Sequence, residues 1–480
     1  MLTRREVLAG LGVAAAAGVV GCDNAGRADD ADAAAGDDAQ AGSDADIDAP
    51  PGACAAPSSM TPEQLLAHVE TIIVLCMENR SFDHYLGSLR LAEARMDVDG
   101  LVGTEVNYTS NNIAVPVHQL DDFTPADPPH GWDACHAQWN NGANDGFVKE
   151  HEGASEADVM GYHVRSQIPV TYALADAGVV CNRWFAGCLG PTWPNRFYLH
   201  GATSKGIKTN VPALGYRGIF HQLADANIKG TNYYSDVAWA TGGYGKLTGL
   251  ATIEKFFEDA AAGTLPPFAI IDPAFAGGGA NDDHPDHDIR MGQALIASVV
   301  AAIAQSPQWS KCLFVLTYDE HGGFHDHVPP PATIDSDTDF ERLGFRVPSI
   351  VIGPTVRRGC AIDDLLEHSS VPATVTRRHN LPVLNARAGQ VKDLSVAIDP
   401  ARIGNPLPPP TLPQVTMSRS ALVARQERAR REGHISHPEL MAAVDAMKLP
   451  PSIDRRADTD RIAHRVLAWG ERLGAVKIVD

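Results

Sequence analysis

Thr71-Ile72-Ile73-Val74-Leu75-Cys76-Met77-Glu78-Asn79-Arg80 is the stretch that decides the fold. Thr71 to Leu75 is a short, β-branched apolar run, and the chain turns polar soon after it. Such a run, apolar without alternation, reads as a strand buried on both faces, the habit of parallel sheets. Phe268 to Ile271, Leu313 to Leu316 and Val347 to Ile352 follow the same pattern. Helical stretches separate them, the clearest being Ile289 to Ala304, where Met291, Leu295, Ile296, Val299 and Val300 recur at helical spacing. The order strand, helix, strand predicts an α/β fold with a mostly parallel central sheet flanked by helices.

Two of these strands end in chemistry. The first delivers Glu78-Asn79-Arg80, and the run ending at Leu316 delivers Thr317-Tyr318-Asp319-Glu320-His321-Gly322-Gly323. In an open α/β sheet the crevice beyond the carboxyl ends of the strands is where ligands bind. Glu78, Asn79, Asp319 and Glu320 are therefore expected to converge. Carboxylates brought together repel one another unless a cation lies between them, and oxygen donors suit a hard divalent metal ion. Each acid taken alone reads as an ion pair or a helix cap; the coincidence of two clusters favours the metal. Histidines in loops rich in Asp, Pro and Gly (His130, His284, His321) are candidates for general acids or phosphate contacts.

A third element is Gly190-Pro191-Thr192-Trp193-Pro194-Asn195-Arg196, opening an expected helix through Phe197, Tyr198 and Leu199. Thr192 is placed as its N-cap. The free N–H groups and dipole of a helix start favour an anion such as phosphate or an ionised hydroxyl, although a threonine there is more often only a cap.

The chain has 480 residues, and 59 acidic against 39 basic side chains give a formal net charge of -20, which argues against nucleic acid as a partner. Part of the excess sits in residues 23–57, a stretch of Ala, Asp and Gly expected to be a disordered acidic tether. Before it, Arg4-Arg5 precedes the apolar stretch Leu11 to Val20 and then Val19-Val20-Gly21-Cys22. Residues 1–22 thus read as a twin-arginine-like lipoprotein signal, with Cys22 the lipidated residue and the protein exported and membrane-anchored, in the periplasm or at the cell surface. Residues 58–404 form the expected catalytic domain. A Pro-rich linker and peripheral helices fill 405–480. The cysteines show no metal-binding spacing. Cys76 and Cys312 lie in apolar runs as buried thiols, and Cys181 with Cys188 is left open as a pair.

Met77-Glu78-Asn79-Arg80-Ser81-Phe82-Asp83-His84-Tyr85, Gly190 to Arg196, Asp283-His284-Pro285 and Tyr318 to Phe324, followed by Asp326-His327-Val328-Pro329-Pro330-Pro331, together resemble the bacterial phosphoesterase family of phospholipases C and acid phosphatases. The likeness runs from about Thr71 to about Arg377 in the family's order. It implies an alkaline-phosphatase-like sandwich and a phosphoenzyme route. By that resemblance Glu78, Asn79, Asp319 and Glu320 hold one or more divalent metal ions. Thr192 attacks phosphorus, and His130, His284 and His321 contact phosphoryl oxygens or protonate the leaving group. Asn195, Arg196 and Asp283, inside the same motifs, are expected to contact substrate. Threonine at the nucleophile position resembles the phospholipase C members and points to phospholipid headgroups as substrate. A broad acid phosphatase acting on small phosphate esters, and an inactive ligand-binding surface lipoprotein, are the alternatives.

Overall fold

A computed structural model describes residue 54 and residues 59–480, apart from 154, 433–436, 448 and 450–457. The expected signal, Cys22 and all of the acidic tether except Cys54 lie outside the described residues. The central sheet has eight strands: Thr71–Met77 (β1), Val179–Cys181 (β2), Gly230–Tyr234 (β3), Leu250–Thr252 (β4), Phe268–Asp272 (β5), Cys312–Tyr318 (β6), Ile350–Ile352 (β7) and Cys360–Ile362 (β8). Their order across the sheet is β8-β2-β7-β6-β1-β5-β3-β4. Every residue of β1 and β6 is buried. Successive side chains of a strand point to opposite faces, so both faces here are covered, as the unbroken apolar runs predict.

Seven strands run one way. β7 runs against both of its neighbours, β6 and β2. The run Val347 to Ile352, expected as a parallel strand, is thus shorter and reversed. The chain between β6 and β7 holds only a short 3-10 turn, Thr338–Phe340, and no crossover helix to carry it back to the starting end of the sheet.

The helices that position the site are Thr192–Gly201 (α1), Ile289–Ala304 (α2), Pro438–Asp445 (α3) and Thr459–Arg472 (α4). α2 matches its expected bounds. Its Asp288 side chain caps the first turn by accepting from the Arg290 N–H, and all but a few of its residues are buried. Such a nearly all-round apolar helix needs cover on every side. α4 and helix Pro169–Ala177 pack on it.

Residues after Pro413 are not peripheral. Val415–Ser418 (β9) pairs in parallel with Val476–Val479 (β10). Val415, Met417, Ile462, Val466, Leu467 and Val476 all join the main apolar core. The described residues belong to one compact unit, Pro50–Asp480. Cys54 is bonded to Cys360 on edge strand β8, whereas Cys181 and Cys188 are separate buried thiols, as are Cys76 and Cys312. Among the described residues no helix is long and apolar enough to cross a membrane.

Candidate active site

β1 and β6 lie side by side in full register, with Met77 opposite Tyr318, so Glu78-Asn79 and Asp319-Glu320 leave the sheet together. The backbone binds the two ends: Asp319 N–H donates to the Met77 carbonyl (3.1 Å), and Asn79 N–H donates to Asp319 Oδ1 (3.0 Å). Asn79 sits at φ 57°, a left-handed conformation that asparagine tolerates. Gly322, at φ 64°, packs so closely that a Cβ there would lie 2.1 Å from the Asn79 carbonyl oxygen. Only glycine fits both that conformation and that approach.

Arg196, from the second turn of α1, enters this cluster fully buried. It pairs with Glu78 Oε1, with Asp272 Oδ1 at the end of β5 (3.3 Å) and with Asp319 Oδ2 (3.3 Å). Asp272 is a third acid at a strand end, which the sequence reading overlooked although Ile270-Ile271-Asp272 follows the rule it used. Asp282, whose carbonyl accepts from the Glu78 N–H (2.7 Å), brings a further buried carboxylate. Arg196 faces three of these acids, His287 Nδ1 pairs with Asp282 Oδ1 (2.5 Å) and His437 Nε2 lies 3.7 Å from Asp282 Oδ2, and any charge left unbalanced in the interior is costly to desolvate. Burial, opposed by Arg196, pushes the Glu78 carboxyl well above its usual range.

Thr192 is the first residue of α1 and not its cap. Pro191 holds the cap position and its own side chain offers no cap; the N–H of Trp193 is met by Asn210 Oδ1 (2.9 Å). The threonine hydroxyl, 2% exposed, instead donates to Glu78 Oε2 at 3.4 Å. Asn195 serves the turn itself: its amide nitrogen donates to the carbonyls of Gly190 (2.8 Å) and Pro191 (3.0 Å), and its oxygen accepts from Cys188 N–H (2.9 Å). Asn195 and Arg196, expected to meet substrate, are thus spent inside the fold on placing Thr192 and its carboxylates. Asp283, at φ 72°, accepts from the Tyr318 hydroxyl (2.7 Å), and its carbonyl accepts from Arg80 Nε (2.7 Å). Burial raises its carboxyl to about 7.

The histidines divide by partner. His130 Nδ1 donates to the Pro128 carbonyl (2.8 Å), leaving Nε2 facing Asn79 Nδ2 (3.3 Å) and Glu320 Oε1 (3.8 Å). Burial lowers the proton affinity of His130, but Glu320 and Asp127 outweigh it and the net shift is upward. His284 gives Nδ1 to the Pro285 carbonyl (2.9 Å); burial, then His437 and His287, hold it well below the normal histidine range. His321 has both nitrogens engaged, Nε2 with Gln138 Oε1 (2.8 Å) and Nδ1 beside Glu320 Oε2 (3.2 Å), and burial lowers it. It braces Glu320.

Thr192, Glu78, Arg196, Asp319, Asn79, His130 and Glu320 therefore form one connected group, with His284 beside His130 at 5.9 Å between ring centres. Asn79 Oδ1, Glu320 Oε1 and Asp282 Oδ2 are buried and make no hydrogen bond within the protein. Buried polar atoms are rarely left so, and unpartnered oxygens beside buried carboxylates are a donor set that fits a hard divalent cation. Among the described residues, Asp127, His130 and His284 lie close enough to one another to hold a metal ion, whereas Glu78, Asp282, Asp319 and Glu320 form no such group by themselves.

A hydroxyl held against a buried carboxylate at a helix start, connected through Glu78 to a group of oxygen donors and histidines, suits the hydrolysis of phosphoric esters. Residues 69–382 match the model of the Phosphoesterase family, and the chain belongs to that family. It is 35% identical over 373 residues to non-specific phospholipase C1 of Arabidopsis thaliana, covering 68% of this chain and 69% of that protein. It is 28% identical over 423 residues to phospholipase C B of Mycobacterium tuberculosis, covering 72% and 80%. Among solved structures, the phosphonate monoester hydrolase of Agrobacterium radiobacter matches with a TM-score of 0.31 at 13% identity, over 65% of this chain and 74% of that one.

Proposed function

We propose that the protein is a phospholipase C type enzyme that cleaves phospholipid headgroups through a phospho-threonine intermediate. The observation that carries the reading is Thr192: a buried hydroxyl in the first turn of a helix, free of any capping duty and aimed at Glu78. Two relatives named phospholipase C support the substrate class.

In the first step the Thr192 oxygen attacks phosphorus while its proton passes to Glu78 Oε2. The phosphorus–oxygen bond to diacylglycerol breaks, and His130, favoured in its protonated form, supplies the proton that the departing alkoxide needs. Water, giving one proton to the now neutral His130, then attacks the phospho-threonine; the phosphorus–oxygen bond to Thr192 breaks, the phosphorylated headgroup leaves, and Glu78 returns its proton to the Thr192 oxygen. Glu78, Asn79, Asp319 and Glu320 would hold a divalent cation, whose chemistry is to stabilise the ionised hydroxyl and the charge on the phosphoryl oxygens.

Export fits the same reading. A disulfide joining Cys54 to Cys360 belongs to an oxidising compartment, and a lipid on Cys22 would hold the enzyme at its substrate. Mass spectrometry of the N-terminal peptide from membranes tests the anchor, and an unmodified Cys22 refutes it.

The deciding experiment assays phosphatidylcholine and p-nitrophenyl phosphate with the purified protein, with and without chelator, beside Thr192→Ala. Diester cleavage lost under both treatments supports the proposal. Cleavage of the monoester alone makes the protein an acid phosphatase, and an active Thr192→Ala removes the nucleophile assigned here.

A further inference from the structure

The family match ends at residue 382, yet a side chain well beyond it reaches the catalytic cluster. His437, 3% exposed, stands immediately before α3, whose first residue is Pro438. Leu440, Met441 and Val444 of α3 pack into one apolar cluster with Trp193, Phe197, Trp239 and Phe275. That packing fixes the start of the helix and turns the imidazole inward. Its Nε2 lies 3.9 Å from Glu78 Oε2 and 3.7 Å from Asp282 Oδ2 and makes no hydrogen bond. The ring stands edge-on to His284 with centres 4.9 Å apart.

The other nitrogen leads back to the nucleophile. His437 Nδ1 is 3.9 Å from Glu439 Oε1, which accepts from Asn210 Nδ2 (3.0 Å). Asn210 Oδ1 in turn accepts from the Trp193 N–H (2.9 Å), the residue after Thr192. The contacts close a circuit: Thr192, Glu78, His437, Glu439, Asn210 and back to the turn that carries Thr192. Glu78 Oε1 is taken by Arg196, so the aim of Oε2 depends on what stands beside it.

We propose that His437 is a positioning residue of the active site, holding Glu78 Oε2 and Asp282 Oδ2 in register with the Thr192 turn from a segment outside the family's matched region. The role rests on the phosphoester hydrolase reading and requires no proton transfer by His437. A carboxylate displaced by about 1 Å from its hydroxyl costs about a hundredfold in rate, which sets the size of the expected effect.

The test compares full-length wild type, His437→Ala, His437→Gln and Val444→Ala. It measures kcat and KM on p-nitrophenyl phosphate and phosphatidylcholine, the folded fraction by circular dichroism, and the melting temperature. His437→Ala is expected to lose about a hundredfold in kcat per folded molecule with KM nearly unchanged. His437→Gln, which keeps a polar nitrogen near the Nε2 position, is expected to recover about tenfold of that loss. Val444→Ala, which thins the packing that seats His437 but keeps the imidazole, should lower the melting temperature and cost far less kcat per folded molecule than His437→Ala. Wild-type kcat in His437→Ala overturns the proposal, as does a loss that merely follows the folded fraction or that glutamine fails to rescue. A wild type inactive on both substrates refutes the proposed function and takes this inference with it, a failure visible before any variant is made.

Discussion

Two buried arginines in this molecule sit in nearly the same company. Arg196 lies among Glu78, Asp272 and Asp319 with its guanidinium 5.2 Å from the centre of the Phe275 ring. Arg346 lies among Asp83 (3.1 Å), Asp326 (2.8 Å) and Asp99 (3.5 Å), 4.3 Å from the centre of the Phe82 ring. A histidine completes each group: His437 in the first, and His327, whose Nδ1 pairs with Asp83 Oδ2 (2.7 Å), in the second. The difference is in what remains. None of the polar side-chain atoms of Asp83, Asp99, Asp326, His327 or Arg346 is left buried without a partner, whereas in the first group His437 Nε2 makes no hydrogen bond, and neither do the buried oxygens of its neighbours Asn79, Glu320 and Asp282. A closed ion network holds the fold; an open one has capacity for a ligand. Asp83, Asp326 and His327 also lie close enough together to hold a metal ion, but Arg346 already fills that need.

The comparison can be broken at its strongest point first. Thr192→Ala should lower turnover by about 10⁴-fold or more, with the melting temperature nearly unchanged, because the hydroxyl carries chemistry and little packing. An equal loss of activity from Arg346→Met, measured per folded molecule, would erase the distinction between the clusters. Arg346→Met should instead destabilise the protein by about 3 to 5 kcal/mol in chemical denaturation, since it takes the arginine away from the buried carboxylates Asp83 and Asp326. Removing divalent cations with a chelator should abolish turnover while leaving the Arg346 network intact, and unaltered activity would show that the open oxygens serve something other than a metal.

The smallest effect concerns pH. Burial opposes the charge on His327, but Asp83 and then Asp99 outweigh it and raise its pKa to about 10. A histidine raised on folding contributes stability that is complete below its unfolded value of about 6.5 and is lost as pH climbs through the folded one. Between pH 7 and 9.5 the wild type should therefore lose up to about 1 kcal/mol per pH unit more than His327→Asn, read from paired denaturation curves. Parallel curves would show that His327 is not held in its charged form.

The sheet and the convergence of Glu78-Asn79 with Asp319-Glu320 were legible because strand burial is written in consecutive residues. Apolar runs ending in acids locate the carboxyl edge without further information. Thr192 was found but misassigned as a cap: composition places a threonine at a helix start and cannot tell which way its hydroxyl turns. Asn195 and Arg196 were assigned to substrate because motif membership does not say whether a polar side chain faces the ligand or the scaffold. Asp83 and Asp326-His327, quoted for their place in the family pattern, are held in the Arg346 network instead. Arg346 itself had a signal, a lone charge between Phe345 and Val347, which marks a buried ion pair. His437-Pro438-Glu439 had a weaker one, a proline-started helix with a histidine before it, and nothing local ties it to Glu78.

The bond from Cys54 to Cys360 has a mechanical consequence. A pull on the chain from its N-terminal side passes at Cys54 into edge strand β8, three strands away from β6 and four from β1. The residues between Cys54 and Thr71 are bypassed, so the load does not reach Glu78 along the backbone of β1. Reducing that one bond reroutes the same pull straight up the strand that ends at Glu78.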